Sequence, residues 1–430
     1  MLCRMTTRTP PSVPKPMKLI SSQPVTLLAD RIDRRYIPHV ARFPGGLLRL
    51  NIGIGPDANF TPCASYHSHD GGKTWMNVEN LCPRIEWSEV LSDGSYYEVD
   101  DYWFQEFGNP GWYLGNGGFS DGERNFRRED VRLYSPSAIP VTLRAMRQYG
   151  QPQNPWFDRI NRANAANPAV SLDSVLLGGA VLTSVVELES PRHLLAPGYH
   201  RFKGFQKSAV MLFESTDGGR TWLERNLILS AEETPEGADE TAMVRLDSGE
   251  LYAMARTGSL LLQVRSADLG RTWSAAEPVQ LADTGEYITG VWPVIRRLRR
   301  GGLVCSYGRP KSTFTSIEQA QAFDYVAEHY GHCGKFVMVD PTGTGRAWQG
   351  RIDLHAIEVE QQARMGVPAG ERLRVQDDTN VRESNSWEYL SLNETEDDVL
   401  LVTYDVQQFR EHWNSHPVQG VRMARVTIER

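Results

Sequence analysis

The chain is poor in cysteine, with five in 430 residues, at Cys3, Cys63, Cys82, Cys305 and Cys333. The number is odd and none falls in a Cys-x-x-Cys or Cys/His ligand spacing. Buried thiols are therefore expected, and neither a disulfide framework nor a structural zinc. Long apolar runs are missing too. No stretch reaches the roughly 18 apolar residues of a membrane span, and the N-terminal "MLCRMTTRTPPSVPKPMKL" lacks the apolar core of about 7–15 residues that marks a signal peptide. The expectation is a soluble, cytoplasmic protein, secreted only if a leader has been removed. Excess positive charge is also absent. A net charge of −7 argues against general binding to nucleic acid or to an anionic membrane, while allowing a locally basic pocket.

What the chain does contain is a repeat. "SHDGGKTW" (Ser68 to Trp75) returns as "STDGGRTW" (Ser215 to Trp222) and as "SADLGRTW" (Ser266 to Trp273), and "VDPTGTGRAW" (Val339 to Trp348) reads as a worn fourth copy. Strand-like runs such as "SAVMLFE" and "SLLLQVR" precede the motif. Asp and the glycines then make a tight turn, and Thr-Trp opens the next extended piece. The carboxylate can accept backbone N–H bonds inside the turn while the indole packs on the sheet, so the octapeptide reads as a staple and not as a catalytic site.

A second element recurs upstream: a hairpin with Gly or polar residues at its turn. Six are readable, including "TAMVRLDSGELYAMART", "WPVIRRLRRGGLVCSYGR" and "WEYLSLNETEDDVLLVTYD". The motif residues Asp217 and Asp268 are 268 − 217 = 51 positions apart, close to the roughly 40–50 residues of a β-propeller blade. The fold class expected is all-β, a six-bladed β-propeller over residues 24–430 behind an N-terminal extension of residues 1–23, with "PVTLLA" adding a strand to the last blade. Two insertions interrupt it. One, at about 135–175, is rich in Pro, Asn and Gln. The other, at about 312–334, carries helix formers behind a Thr315-x-x-Glu318 capping-box pattern.

In a hairpin, the start of the first strand and the end of the second lie at the same edge. Counting about seven residues outward from each turn therefore collects side chains that can meet over a central axis. The fourth hairpin, with turn Asp247-Ser248-Gly249, yields Glu240 and Arg256. The fifth yields Pro293, beside Trp292, and Arg309. The second yields Glu86 and Asp101, and the third His200. The first places Tyr36 and His39 at the face with Arg35 adjacent, and the sixth places Trp387 and Tyr389 there. Polar, aromatic and ionisable groups converging at one edge are the signature of a site.

The octapeptides resemble the Asp boxes of the sialidase-like superfamily. "DETAMVRLDSGELYAMART" is similar to the family segment that carries a glutamate and an arginine on one hairpin, and "SWEYLSLNETEDDVLLVTYD" to the segment that holds its nucleophilic tyrosine. The resemblance implies an exo-acting glycoside hydrolase with no metal or organic cofactor, acting on a terminal acidic or deoxy sugar. In that reading Tyr389 attacks the anomeric carbon, Glu240 accepts its proton, and Arg256 and Arg309 hold a substrate carboxylate. A neutral tyrosine suits such a substrate, because a carboxylate nucleophile would be repelled by it. Two departures stand out. Tyr36 occupies the place before Ile-Pro where the family has its first arginine, leaving Arg35 one residue away, and "LLRLNIGIGP" supplies no acid until Asp57. Asp101 is the acid expected from the hairpin count, with Glu86, His200 and Asp57 as the other candidates. A polysaccharide lyase stays open, with Arg256 or Arg309 neutralising a uronate and His200 or Tyr389 removing a proton. So does a non-catalytic propeller that binds glycans. A carbohydrate is the partner in each case.

Overall fold

The structure, a computed structural model, describes residues 17–22, 24–28, 38–52, 64–78, 85–100, 104–142, 176–308, 314–322, 334–368, 389–406 and 420–430. It is dominated by antiparallel sheets. Three are four-stranded, each with its strands in chain order. The first consists of Pro38–Arg42, Leu48–Ile52, Ala64–Ser68 and Met76–Val78; the second of Thr241–Arg245, Leu251–Ala255, Leu262–Ser266 and Glu277–Pro278; the third of Val291–Arg297, Leu303–Gly308, Lys335–Asp340 and Gln349–Asp353. The strands Leu303–Gly308 and Lys335–Asp340 are buried along their whole length. Burial on both faces means that this sheet is covered on both sides, which is why "LVCSYG" and "KFVMVD" read as nearly continuous apolar runs.

A five-stranded sheet joins the two ends of the chain. Leu390–Glu396, Val399–Val406 and Gly420–Glu429 run in order, and Lys18–Ser21 and Val25–Leu28 both pair with Gly420–Glu429. The expected strand at "PVTLLA" is present, but the sheet also takes in Lys18–Ser21, inside the segment expected to be an extension. The alternation of Leu19, buried, with exposed Lys18 and Ile20 gives that short run one face to bury.

A twelve-stranded sheet departs further from six separate units. Arg127–Tyr134 pairs in parallel with Thr221–Ser230 (Arg132 opposite Thr221), which welds the second and third hairpin units into one curled sheet. Charge holds the seam. Arg220 donates from Nε to Glu129 Oε2 at 2.7 Å, and the Arg132 N–H donates to the Arg220 carbonyl at 2.9 Å. Of the insertion expected at 135–175 only residues 135–142 are described; Val141–Thr142 pairs there with Leu176–Gly178, just beyond its far end.

The octapeptide turns share one bonding pattern. Asp217 Oδ1 accepts from the N–H groups of Arg220 (3.1 Å) and Thr221 (2.8 Å) and from Ser215 Oγ (2.8 Å), while Ser215 Oγ accepts from Gly219 N–H at 2.9 Å. Asp70 and Asp268 repeat it, with bonds from Thr74 and Thr272 N–H at 2.9 Å each. Bonds from the Thr272 backbone and hydroxyl pull the Asp268 carboxyl down to about 2. Trp222 is fully buried and donates its indole N–H to Tyr97 Oη on a neighbouring hairpin at 2.7 Å. Trp348 of the worn copy repeats this with Tyr252 Oη at 3.1 Å. Gly219 permits the approach: its φ is +86°, and a Cβ there would lie 2.5 Å from the Tyr97 ring. Asp217→Ala removes two backbone bonds of roughly 0.5–1.5 kcal/mol each. Denaturant unfolding is expected to show a loss of about 1–3 kcal/mol, with specific activity of the folded protein unchanged.

Two helices flank the sheets among the described residues. The capping box in Ile317–Ala322 is shifted by one residue from the expected Thr315/Glu318. Ser316 Oγ accepts from Gln319 N–H at 3.2 Å and Gln319 Oε1 accepts from Thr315 N–H at 3.2 Å. Phe314 is held by a bridge to Tyr287, which keeps the chain extended up to the turn and delays the helix. The second helix, Leu354–Arg364, was not anticipated. Asp353 caps it, accepting from His355 N–H at 2.9 Å. No helix among the described residues is long and apolar enough to cross a membrane.

Candidate functional site

Glu240 stands immediately before the strand Thr241–Arg245, and the pairing of Thr241 with Ala255 continues outward to set it opposite Arg256. Arg256 N–H donates to the Glu240 carbonyl at 3.0 Å, and Asp239 N–H to the Arg256 carbonyl at 2.9 Å. The hairpin count therefore finds its pair. Arg256 gives Nη1 to Glu240 Oε1 at 2.9 Å, and its Nε and Nη2 to the two oxygens of Glu236 at 2.8 and 2.9 Å. The second set is the bidentate fork with which arginine binds carboxylates. Gly258 makes room for it, since a Cβ there would lie 2.6 Å from Glu236 Cγ.

Trp292 reaches the same carboxylate from the next sheet. The register breaks between Val291 and Val294, and Trp292 has a φ of +48°, which a bulky residue adopts only under tertiary constraint. The bulge turns its backbone N–H to Glu240 Oε2 at 3.0 Å. Pro293, which has no N–H, sits where the ladder is interrupted. The Trp292 ring stacks on Tyr389, with centroids 4.8 Å apart and planes at 28°. Tyr389 itself stands one residue before the strand Leu390–Glu396 and donates its hydroxyl to Glu240 Oε1 at 2.5 Å. Three elements from three sheets thus converge on one carboxylate that is 4% exposed. A phenol so close to a carboxylate can pass its proton across.

Of the other expected residues, His200 closes the strand His193–Arg201. Its Nδ1 faces the Arg201 carbonyl at 3.2 Å, its ring meets Phe202 edge-on, and burial lowers its pKa. His39, expected at the open face, is instead 1% exposed. It is wedged between two sheets with Nδ1 at 2.7 Å from Ser88 Oγ, and burial, assisted by the charge of Arg296, brings its pKa down to about 3. A neutral imidazole seated in the wall offers a ligand no surface, so its expected place at the sugar is corrected. Asp57, Asp101, Arg309, Arg35 and Trp387 lie outside the described residues.

Two carboxyl groups beside the couple escaped the sequence reading. Glu236 and Asp239 lie within four residues of Glu240 in "PEGADE", beyond the seven-residue count, and only the acidity of that segment signals them. Burial holds the Asp239 carboxyl well above the ordinary carboxylate range. Arg256 opposes the shift, and Glu240 and Glu236 add to it. Separately, residues of the strands at 85–90, 186–190, 241–245 and 291–297 line a cavity of about 300 Å³. Arg296 crosses it to Glu89 at 2.5 Å.

No protein-family model and no curated protein matches the sequence. Solved structures do match in shape. A protein of unknown function from Dyadobacter fermentans DSM 18053 is similar over 96% of this chain and 99% of its own, at 16% identity and a TM-score of 0.56. The α-L-arabinanase of Penicillium chrysogenum, complexed with arabinobiose, is similar over 94% and 98%, at 11% identity and a TM-score of 0.52. The Hadza microbial sialidase Hz136 is similar over 91% of this chain at 13% identity and a TM-score of 0.51, and the match spans 65% of that protein's length. These likenesses show that the chain shares its fold with these solved structures.

Proposed function

We propose that the chain is an exo-acting glycoside hydrolase on a six-bladed, Asp-box propeller, with Tyr389 as nucleophile and Glu240 as its base. The observation that carries this reading is the 2.5 Å bond from the Tyr389 hydroxyl to Glu240, made between residues 149 positions apart. Six blades are supported by bonds that link six hairpins in a circle. Val40 N–H donates to Ser391 Oγ, Ser88 Oγ meets His39 Nδ1, and Ser92 N–H donates to Glu187. Met243 N–H donates to Ser184 Oγ, Trp292 N–H to Glu240 and Arg299 N–H to Glu394.

In the proposed reaction the Tyr389 oxygen attacks the anomeric carbon as its proton moves to Glu240, and water later releases the sugar. Arg256 and the Trp292 N–H hold Glu240 ionised and aimed until the proton arrives. The sugar proposed is a terminal acidic or deoxy sugar. If it is acidic, its carboxylate takes the Nε and Nη2 edge of Arg256 in exchange for Glu236, with Arg309 as the second arginine. The test is a panel of 4-methylumbelliferyl glycosides: a neuraminide, a glucuronide, a fucoside and an arabinofuranoside. Release of fluorophore from the neuraminide, the glucuronide or the fucoside is the expected result. Turnover of the arabinofuranoside alone removes the acidic or deoxy specificity. An unsaturated product from a uronate polymer, or glycan binding with no turnover of any substrate, removes the hydrolase.

A further inference from the structure

We infer that Glu236 stands in for a substrate carboxylate, filling the fork of Arg256 so that the site takes an uncharged terminal sugar and turns an acidic one away. The inference rests on the glycosidase reading above and narrows its substrate to the deoxy class. Arginine offers a carboxylate two planar edges, one formed by Nε and Nη2 and one by Nη1 and Nη2. Glu236 takes both nitrogens of the first, at 2.8 and 2.9 Å, and Glu240 takes Nη1 of the second at 2.9 Å. The fork that a sugar carboxylate would use is thus occupied by the chain itself.

Glu236 is built into this place. Its N–H donates to the Thr257 carbonyl at 3.2 Å, and Ala238, two residues on, donates its N–H to the Ser208 carbonyl at 2.9 Å. Before it, Thr234 N–H donates to the Ala231 carbonyl at 2.9 Å, and Gly237 N–H donates to Thr234 Oγ1 at 3.2 Å. Lys207 ties down the start of the turn, giving Nζ to the Glu232 carbonyl at 2.6 Å. The ion pair is largely closed off from solvent, with the Arg256 side chain 13% exposed and that of Glu236 19%. A sugar carboxylate entering the fork would gain from Arg256 only what Glu236 gave up, and would strand Glu236 without its cation in a mostly buried place. The exchange has no net driving force.

Charge points the same way. Glu236 and Glu240 bring two negative charges to the one positive charge of Arg256, so the three groups together already carry an excess of negative charge. Asp239, beside them in the chain, reports the consequence: burial holds its carboxyl well above the ordinary range, Arg256 opposes the shift, and Glu240 and Glu236 add to it. A sugar carboxylate brought to Arg256 would enter the same field. A phenol nucleophile still suits the site, because the negative charge that disfavours a carboxylate nucleophile comes from the two glutamates and not from the substrate.

The experiment measures binding of fucose, glucuronic acid and N-acetylneuraminic acid to the full chain by titration calorimetry at neutral pH, beside turnover of the 4-methylumbelliferyl glycosides of the panel. Wild type is expected to bind fucose at least about tenfold more tightly than either acid, and to release fluorophore from the fucoside but from neither the neuraminide nor the glucuronide. Glu236→Ala vacates the fork, and the ratio of acid-sugar to fucose affinity is expected to rise by at least about tenfold. Glu236→Gln, which keeps the shape and loses the charge, is read in the same way should the alanine variant fail to fold. Wild-type turnover of the neuraminide or the glucuronide, or of the arabinofuranoside alone, overturns the inference while a glycosidase remains. An unchanged affinity ratio in a folded variant overturns it as well. A wild type inert toward every glycoside overturns the glycosidase reading instead, and the inference with it, so the two failures are distinct.

Discussion

Tyr389→Phe is expected to reduce turnover of any glycoside by on the order of 10³–10⁵-fold, the range seen when a nucleophile that works as a unit with its base is removed. At 1.36 kcal/mol per factor of ten, that is about 4–7 kcal/mol of transition-state stabilisation. The fold should barely notice. Phenylalanine keeps the stack on Trp292, whose centroid lies 4.8 Å from the Tyr389 ring. Glu240 keeps its bonds from Arg256 Nη1 and the Trp292 N–H. One hydrogen bond is lost, a change of roughly 0.5–1.5 kcal/mol in stability. Steady-state rates and denaturant unfolding on the same preparation separate the two effects. Retention of more than about a tenth of wild-type turnover would take the nucleophile's role from Tyr389.

The largest structural effect is expected behind the site, at Glu358→Ala. The helix Leu354–Arg364 carries Glu358 inward, where Oε1 accepts from Arg422 Nε at 2.7 Å and Oε2 from Tyr404 Oη at 3.1 Å. Arg422 is 2% exposed and Tyr404 fully buried. Removing the carboxylate takes from a buried guanidinium and a buried phenol the acceptor they share, a cost of about 3–5 kcal/mol. Tyr404 pairs with Leu390, the residue after Tyr389, so the strand that follows Tyr389 is expected to loosen as well. Thermal and denaturant unfolding measure the loss. Replacing both partners, as Glu358→Leu with Arg422→Met, is expected to recover most of it, because the guanidinium is removed together with its carboxylate. A double variant as unstable as the single one would show that packing and not charge dominates at this position.

Much of the site was legible because its signals are local. The turn at Asp247–Gly249 fixes the register of one hairpin, and the register alone sets Glu240 opposite Arg256. Trp292 was legible as a position at the edge, but its role was not. The positive φ and the broken register that aim its N–H at Glu240 arise from the fit between two sheets. His39 illustrates the opposite error. Its distance from the turn was read correctly, since it pairs with Asn51 in the expected hairpin, but counting along one hairpin cannot tell an open edge from a wall covered by the next sheet.

By itself the sequence determined the all-β character, the hairpins and the repeated turn chemistry. Each depends on residues within about ten positions of one another: alternating side chains, a glycine able to turn, an aspartate able to reach its own backbone. The tertiary structure decided the rest. It joined Tyr389 to Glu240 across 149 positions, laid Arg127–Tyr134 in parallel beside Thr221–Ser230, and enclosed Asp239 so that burial raises the pKa of its carboxyl. None of these follows from local pattern, because strand pairing at long range and the burial of a single oxygen depend on which surfaces meet, and that is set only when all the sheets pack together.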